Sequence, residues 1–112
     1  MSSVVVCIYG TPRIAVIKRL GYMTENGKAI PRKPWDHTKA FFGQKCLRIE
    51  FDELPKKEVV NTRVNSLVTL GRFINLDDVR IIIGERKVHY PSLEAFLADT
   101  GEDTWKAVEE VI

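Results

Sequence analysis

Apolar positions along this 112-residue chain change period several times, and each change marks an element. Val4-Val5-Val6-Cys7-Ile8-Tyr9 is continuously apolar and largely β-branched, is bounded by Gly10, and predicts a strand buried on both faces. Thr11-Pro12 reads as an N-cap followed by proline at the first helical position, where the missing N–H costs nothing. Ile14, Ile17 and Leu20 fall on one face of the helix that follows, and Gly21 is placed to close it as a left-handed cap. Asn26-Gly27 has the chemistry of a two-residue hairpin turn. Pro31 and Pro34 push their preceding residues toward extended geometry, so this stretch cannot be helical. Asp36 reads as the cap of a short helix that buries Ala40 and Phe41 and ends at Gly43. From residue 45 to 51 the pattern alternates, with Leu47, Ile49 and Phe51 on one side and Cys46, Arg48 and Glu50 on the other: a strand with one apolar face.

Beyond Pro55, Val60, Val64, Leu67 and Leu70 suit a helix face that ends at Gly71, although the valines, asparagines and threonines there are weak helix formers. Residues 79–83 and 87–90 predict a hairpin around Gly84-Glu85-Arg86. Pro91-Ser92 caps a helix with Leu93, Phe96 and Leu97 on one face, and Thr100-Gly101 stops it. A last helix, starting at Asp103 or Thr104, runs through Trp105, Val108 and Ile112. Together these elements predict an α+β fold: a single domain over residues 1–112, with a small mixed sheet and three to four helices around one core. The chain has no internal repeat, low-complexity tract or interdomain linker.

Charge adds what the apolar pattern does not. Residues 1–50 carry nine Lys and Arg against three carboxylates, a balance of +6; the remainder is −4, for a total of +2. Tyr9, Tyr22, Trp35, Phe41 and Phe42 lie among the basic residues of the first half. Cations that sit on phosphates, beside rings that stack on bases, are the raw material of nucleic-acid binding. The candidate contact surface is a loop and helix rim of Lys18, Arg19, Lys28, Arg32, Lys33, Trp35 and Lys39, with Trp35 either a stacking ring or a lid on the core. The acidic positions of the second half, Glu94, Asp99, Glu102, Asp103, Glu109 and Glu110, form either a solvated helix surface or a docking surface for a basic partner.

Catalytic and metal chemistry find little footing. His37 and His89 are isolated, and no Cys or His neighbours stand at metal-ligand spacing, so neither a metal nor a cofactor is expected. Neither the Asp36-His37 pair nor Glu50 with Asp52 makes a recognisable catalytic or nuclease pattern, and no nucleophile signature is present; the expectation is a non-enzyme. Cys7 and Cys46 each sit in an apolar strand-like run and are expected to be buried free thiols. The apolar run near the start is too short to span a bilayer and lacks the preceding cations of a secretory segment, which points to the cytoplasm and away from membranes.

One family resemblance covers the last quarter. Gly84-Glu85-Arg86-Lys87-Val88-His89-Tyr90-Pro91-Ser92-Leu93, then Phe96, Thr100-Gly101 and Trp105, resembles the strand, YPSL turn, helix, TG, tryptophan pattern of small DNA-reading modules attached to restriction, methylase and homing-nuclease systems. The resemblance implies a winged-helix-like or helix-turn-helix-like contact with DNA. Read from the residues alone, the same segment is a helix pair that closes the core with Phe96, Leu97 and Trp105.

The sequence therefore points to a small nucleic-acid-binding or accessory protein that uses its basic, aromatic-containing N-terminal surface. The competing reading is a protein-binding modulator or inhibitor, of viral or mobile-element type, that docks a charged face on a partner enzyme.

Overall fold

The computed structural model describes residues 4–21, 32–52, 55–73, 75–83 and 86–99, with backbone alone at 75, 77, 78, 81–83 and 86. Six strands and three helices alternate along them: β1 (Val4–Thr11), α1 (Ile14–Arg19), β2 (Arg32–Trp35), β3 (Thr38–Phe42), β4 (Cys46–Phe51), α2 (Lys57–Gly71), β5 (Asn75–Ile83), β6 (Arg86–Tyr90) and α3 (Leu93–Ala98). The strands form one sheet in the order β2-β3-β4-β1-β5-β6. Every neighbouring pair is antiparallel, so the sheet is not mixed, while the α+β class holds.

All three helices contribute to the core on one face of the sheet. From the strands come Val4, Val6, Ile8, Ala40, Phe42, Leu47, Ile49, Phe51, Val79 and Tyr90; from the helices come Ile17, Val60, Val64, Leu67 and Phe96. The period-2 strand residues meet the three-to-four spacing of α2, which is how two secondary-structure layers close over one another. Most of these side chains are fully removed from water, and burying an aliphatic or aromatic one contributes about 1.5–3 kcal/mol.

Several local expectations change. The first strand is buried on one face only: Val4, Val6 and Ile8 point into the core, while Val5, Cys7 and Tyr9 are half-buried on the other face. The helix does not begin at Pro12, because Thr11 still pairs with Asn75 in the sheet; Arg13 takes the N-cap position without a side-chain cap. Gly21 does adopt the left-handed conformation, with φ of 81°.

The short helix expected from Asp36 to Gly43 is a strand instead. Asp36-His37 makes a tight turn, with His37 at φ 58°, and Thr38, Ala40 and Phe42 point inward. They pair with Phe51, Ile49 and Leu47 of β4, whose outer edge would otherwise lack a partner. On α2, Gly71 remains helical, and Arg72 instead takes the left-handed position with φ of 46°. The 75–83 and 86–90 hairpin is present and begins earlier than its apolar run, and Ser92 caps α3 by accepting from the Ala95 N–H at 3.1 Å. Asn26-Gly27, the 103–112 helix and Trp105 lie outside the described residues.

Candidate nucleic-acid interface on the open sheet face

With the helices on one face, no helix among the described residues packs on the other. Strand alternation decides which side chains that face displays. Registration places Phe41 opposite Arg48, Arg48 opposite Cys7, Cys7 opposite Arg80, and Arg80 opposite His89. These five residues form one row across β3, β4, β1, β5 and β6. Beside it, Lys39, Glu50 and Val5 stand in the adjacent row, with Lys87 on β6.

The row combines rings with cations. The Arg80 guanidinium lies 5.0 Å from the centre of the half-buried Tyr9 ring, a cation–π distance. Arg48 Nε pairs with Glu50 Oε2 at 3.1 Å. Two shallow depressions flank β1. One, about 260 Å³, includes Val5, Lys33, Lys39, Arg48 and Glu50; the other, about 240 Å³, includes Cys7, Tyr9, Arg80, Lys87 and His89. Lys33, Lys39, Arg48, Arg80 and Lys87 are all exposed, and the carboxylates of Glu50 and Asp52 line the first depression beside them.

Cys7 sits at the middle of the row. Burial pushes its thiol up, outweighing the flanking Arg48 and Arg80, which pull it down. A thiol so placed stays protonated near neutral pH and is a poor nucleophile. Both cysteines are free, but they are half-buried on the open face rather than in the core. At the rim, His37 Nδ1 lies 3.1 Å from Asp52 Oδ1, with both side chains exposed. Among the described residues no group of three His, Cys, Asp or Glu is arranged to hold a metal ion, and no helix is long and apolar enough to cross a membrane.

The rim read from the sequence is divided by the sheet. Lys33 and Lys39 belong to the open face. Lys18 and Arg19 lie on α1, on the helix side, where Arg32 Nη1 donates to the Leu20 carbonyl and ties β2 to the end of that helix. Trp35 packs against the core beneath Arg63, whose guanidinium is 5.5 Å from its ring centre and also donates to Thr38 Oγ1. Trp35 thus packs as a partly buried lid on the core. Lys28 lies outside the described residues. Missing from the rim were Tyr9, Phe41, Arg48, Arg80, Lys87 and His89. The alternation of Cys46, Arg48 and Glu50 was the available signal, but it names a face only once the partners of β4 are known.

No local pattern marks Lys57. It is 5% exposed, and its Nζ donates to Asn61 Oδ1 at 2.6 Å, the Phe96 carbonyl at 2.7 Å and the Asp99 carbonyl at 2.9 Å. Asn61 Nδ2 donates to the Leu97 carbonyl at 3.1 Å, so the start of α2 satisfies the end of α3. Of the YPSL segment, Tyr90 is buried edge-on against Phe96 and donates to Asp99 Oδ2, while Thr100, Gly101 and Trp105 lie outside the described residues. Compared with known protein families, curated proteins and solved structures, the chain matches none.

Proposed function

We propose that this protein is a non-enzymatic binder of single-stranded nucleic acid and that the open sheet face is its contact surface. The observation that carries the reading is the row Phe41, Arg48, Cys7, Arg80 and His89, with Tyr9 held beneath Arg80. Rings on a sheet offer π-faces to unstacked bases, and cations on neighbouring strands meet the phosphates between them. Single strands suit this surface better than a duplex. The row crosses four strand spacings, roughly 19 Å, which is wider than the ~12 Å major groove of B-DNA. Bases inside a duplex also have no free face for Tyr9 or Phe41. Lys33 and Lys39 extend the surface toward β2, whereas Lys18, Arg19 and Arg32 stand on the helix side.

The test is fluorescence anisotropy with labelled oligothymidylate and oligouridylate of about 12 nucleotides, within the usual site size of single-strand binders. Arg48→Glu combined with Arg80→Glu is expected to weaken binding at least tenfold, about 1.4 kcal/mol. Phe41→Ala is expected to cost about 1–3 kcal/mol, the value of one base–ring stack. Lys18→Glu on the helix side should change little. Unaltered affinity in the double variant, with its melting temperature preserved, would remove the reading.

A further inference from the structure

Behind the sheet, α1 and the second half of α2 leave a groove of about 840 Å³. Val16 of α1, Leu20 at its C-cap and Leu70 of α2 line it, and Leu70 is 41% exposed, a large aliphatic group left in water. Arg13, Arg19 and Arg72 also line it. The remaining lining residues are Ala15, Asn65, Ser66 and Thr69, so the described wall contains no carboxylate to neutralise the three guanidiniums. The groove is anchored at one end by the Arg13 N–H, which donates to the Gly71 carbonyl at 3.0 Å and fixes α1 against α2.

From this surface we infer that the groove docks an acidic amphipathic helix of a partner protein. Charge complementarity selects the partner: three arginines with no acid among the lining residues favour carboxylates, and Arg pairs with them bidentately. The aliphatic floor selects the form. Leucine and valine side chains between two helices accept the apolar ridge of a third, at an interaxial distance of about 8–10 Å. The polar stretch Asn65, Ser66 and Thr69 on α2 is short-chained and leaves room for close approach. The groove lining has no aromatic ring on which a base would stack, which sets it apart from the open sheet face and disfavours nucleic acid as occupant. The helical stretches Ile14 to Arg19 and Asn65 to Gly71 offer about 9–11 Å of wall at 1.5 Å per residue, so about two turns of a helix fill it.

The experiment uses the full chain and a fluorescein-labelled helical peptide, EELLAELEELLA, with two controls: its lysine counterpart KKLLAKLKKLLA and a scrambled acidic peptide without an apolar stripe. The acidic amphipathic peptide should bind with a Kd below about 1 mM, the weak end of measurable affinity, and both controls should bind at least tenfold more weakly. Leu70→Asp and Arg19→Glu combined with Arg72→Glu should each weaken it at least tenfold while leaving the melting curve and oligonucleotide binding unchanged. Three results would overturn the inference: equal binding of the lysine peptide, displacement of the acidic peptide by oligothymidylate, or a concentration-dependent dimer abolished by Leu70→Asp, which would make a second copy the occupant. Because the sheet-face variants Arg48→Glu and Arg80→Glu lie on the opposite face, failure here and failure of nucleic-acid binding are separately visible.

Discussion

Gly71 is where a single residue carries the most structural consequence. A Cβ added there would stand 2.7 Å from Phe42 Cε1 and 3.0 Å from Phe73 Cε2, inside normal contact with two rings whose centroids are 6.3 Å apart. Phe42 is fully buried, so it has little room to yield. Gly71→Ala should gain up to about 1 kcal/mol of helix propensity but lose about 1–3 kcal/mol to overpacking, and a net fall in chemical-denaturation stability is the expected outcome. Arg72, the next residue, has the opposite balance. Its left-handed backbone is costly for a side-chain-bearing residue, so Arg72→Gly should raise stability by about 0.5–1 kcal/mol, read from the same denaturation midpoints. A helix end near residue 71 was legible from the period of Val60, Val64 and Leu67. Which residue takes the left-handed position was not, because the space around Gly71 belongs to Phe42, nearly thirty residues earlier in the chain.

At the scale of elements, α3 is six residues long and depends on its neighbours for its C-terminal carbonyls. Lys57 supplies them, at the expense of holding an ammonium group out of water. Its pKa is pushed down to about 8 by burial, with Asp99 opposing. The unfolded chain keeps its proton up to the ordinary lysine value, so between about pH 8 and pH 10.5 the unfolded state binds more protons than the folded one. Stability therefore rises with pH across that window, by roughly 3 kcal/mol for a shift of this size. Below about pH 8 both states are protonated and this slope vanishes. Urea titrations of the native protein and Lys57→Met at about pH 7 and about pH 10 should show the native protein gaining relative to the variant. A constant difference between the two would contradict the assignment. The cap at Ser92 was readable from its neighbours; the cap at the other end was not, since it comes from a lysine more than thirty residues earlier.

For the whole molecule, a net charge of +2 is too small to draw a polyanion by long-range attraction alone, so the proposed nucleic-acid binding rests on the local arrangement of the open face. If about four phosphates are neutralised, log affinity should fall with log salt at a slope near −3, and the Arg48→Glu, Arg80→Glu variant should flatten that slope by about 1.4. Oligonucleotide should also slow the reaction of Cys7 with a thiol reagent, because Cys7 lies between those arginines in the row. Equal labelling rates with and without oligonucleotide would place any binding elsewhere. The sequence by itself determined the elements whose signals are local: the alternation of β4, the apolar face of α2 through Val60, Val64 and Leu67 (Leu70, expected with them, is exposed), the left-handed Gly21 and the cap at Ser92. It also determined the charge division and the presence of rings among the cations. Only the tertiary structure decided that residues 38–42 form a strand, because the open edge of β4 required a partner. It likewise decided that β1 has one wet face, that Trp35 serves the core, and that Lys33 and Lys39 part company with Lys18 and Arg19. Periodicity reports which residues share a face, but the side on which three helices settle is set by contacts between residues far apart in the chain.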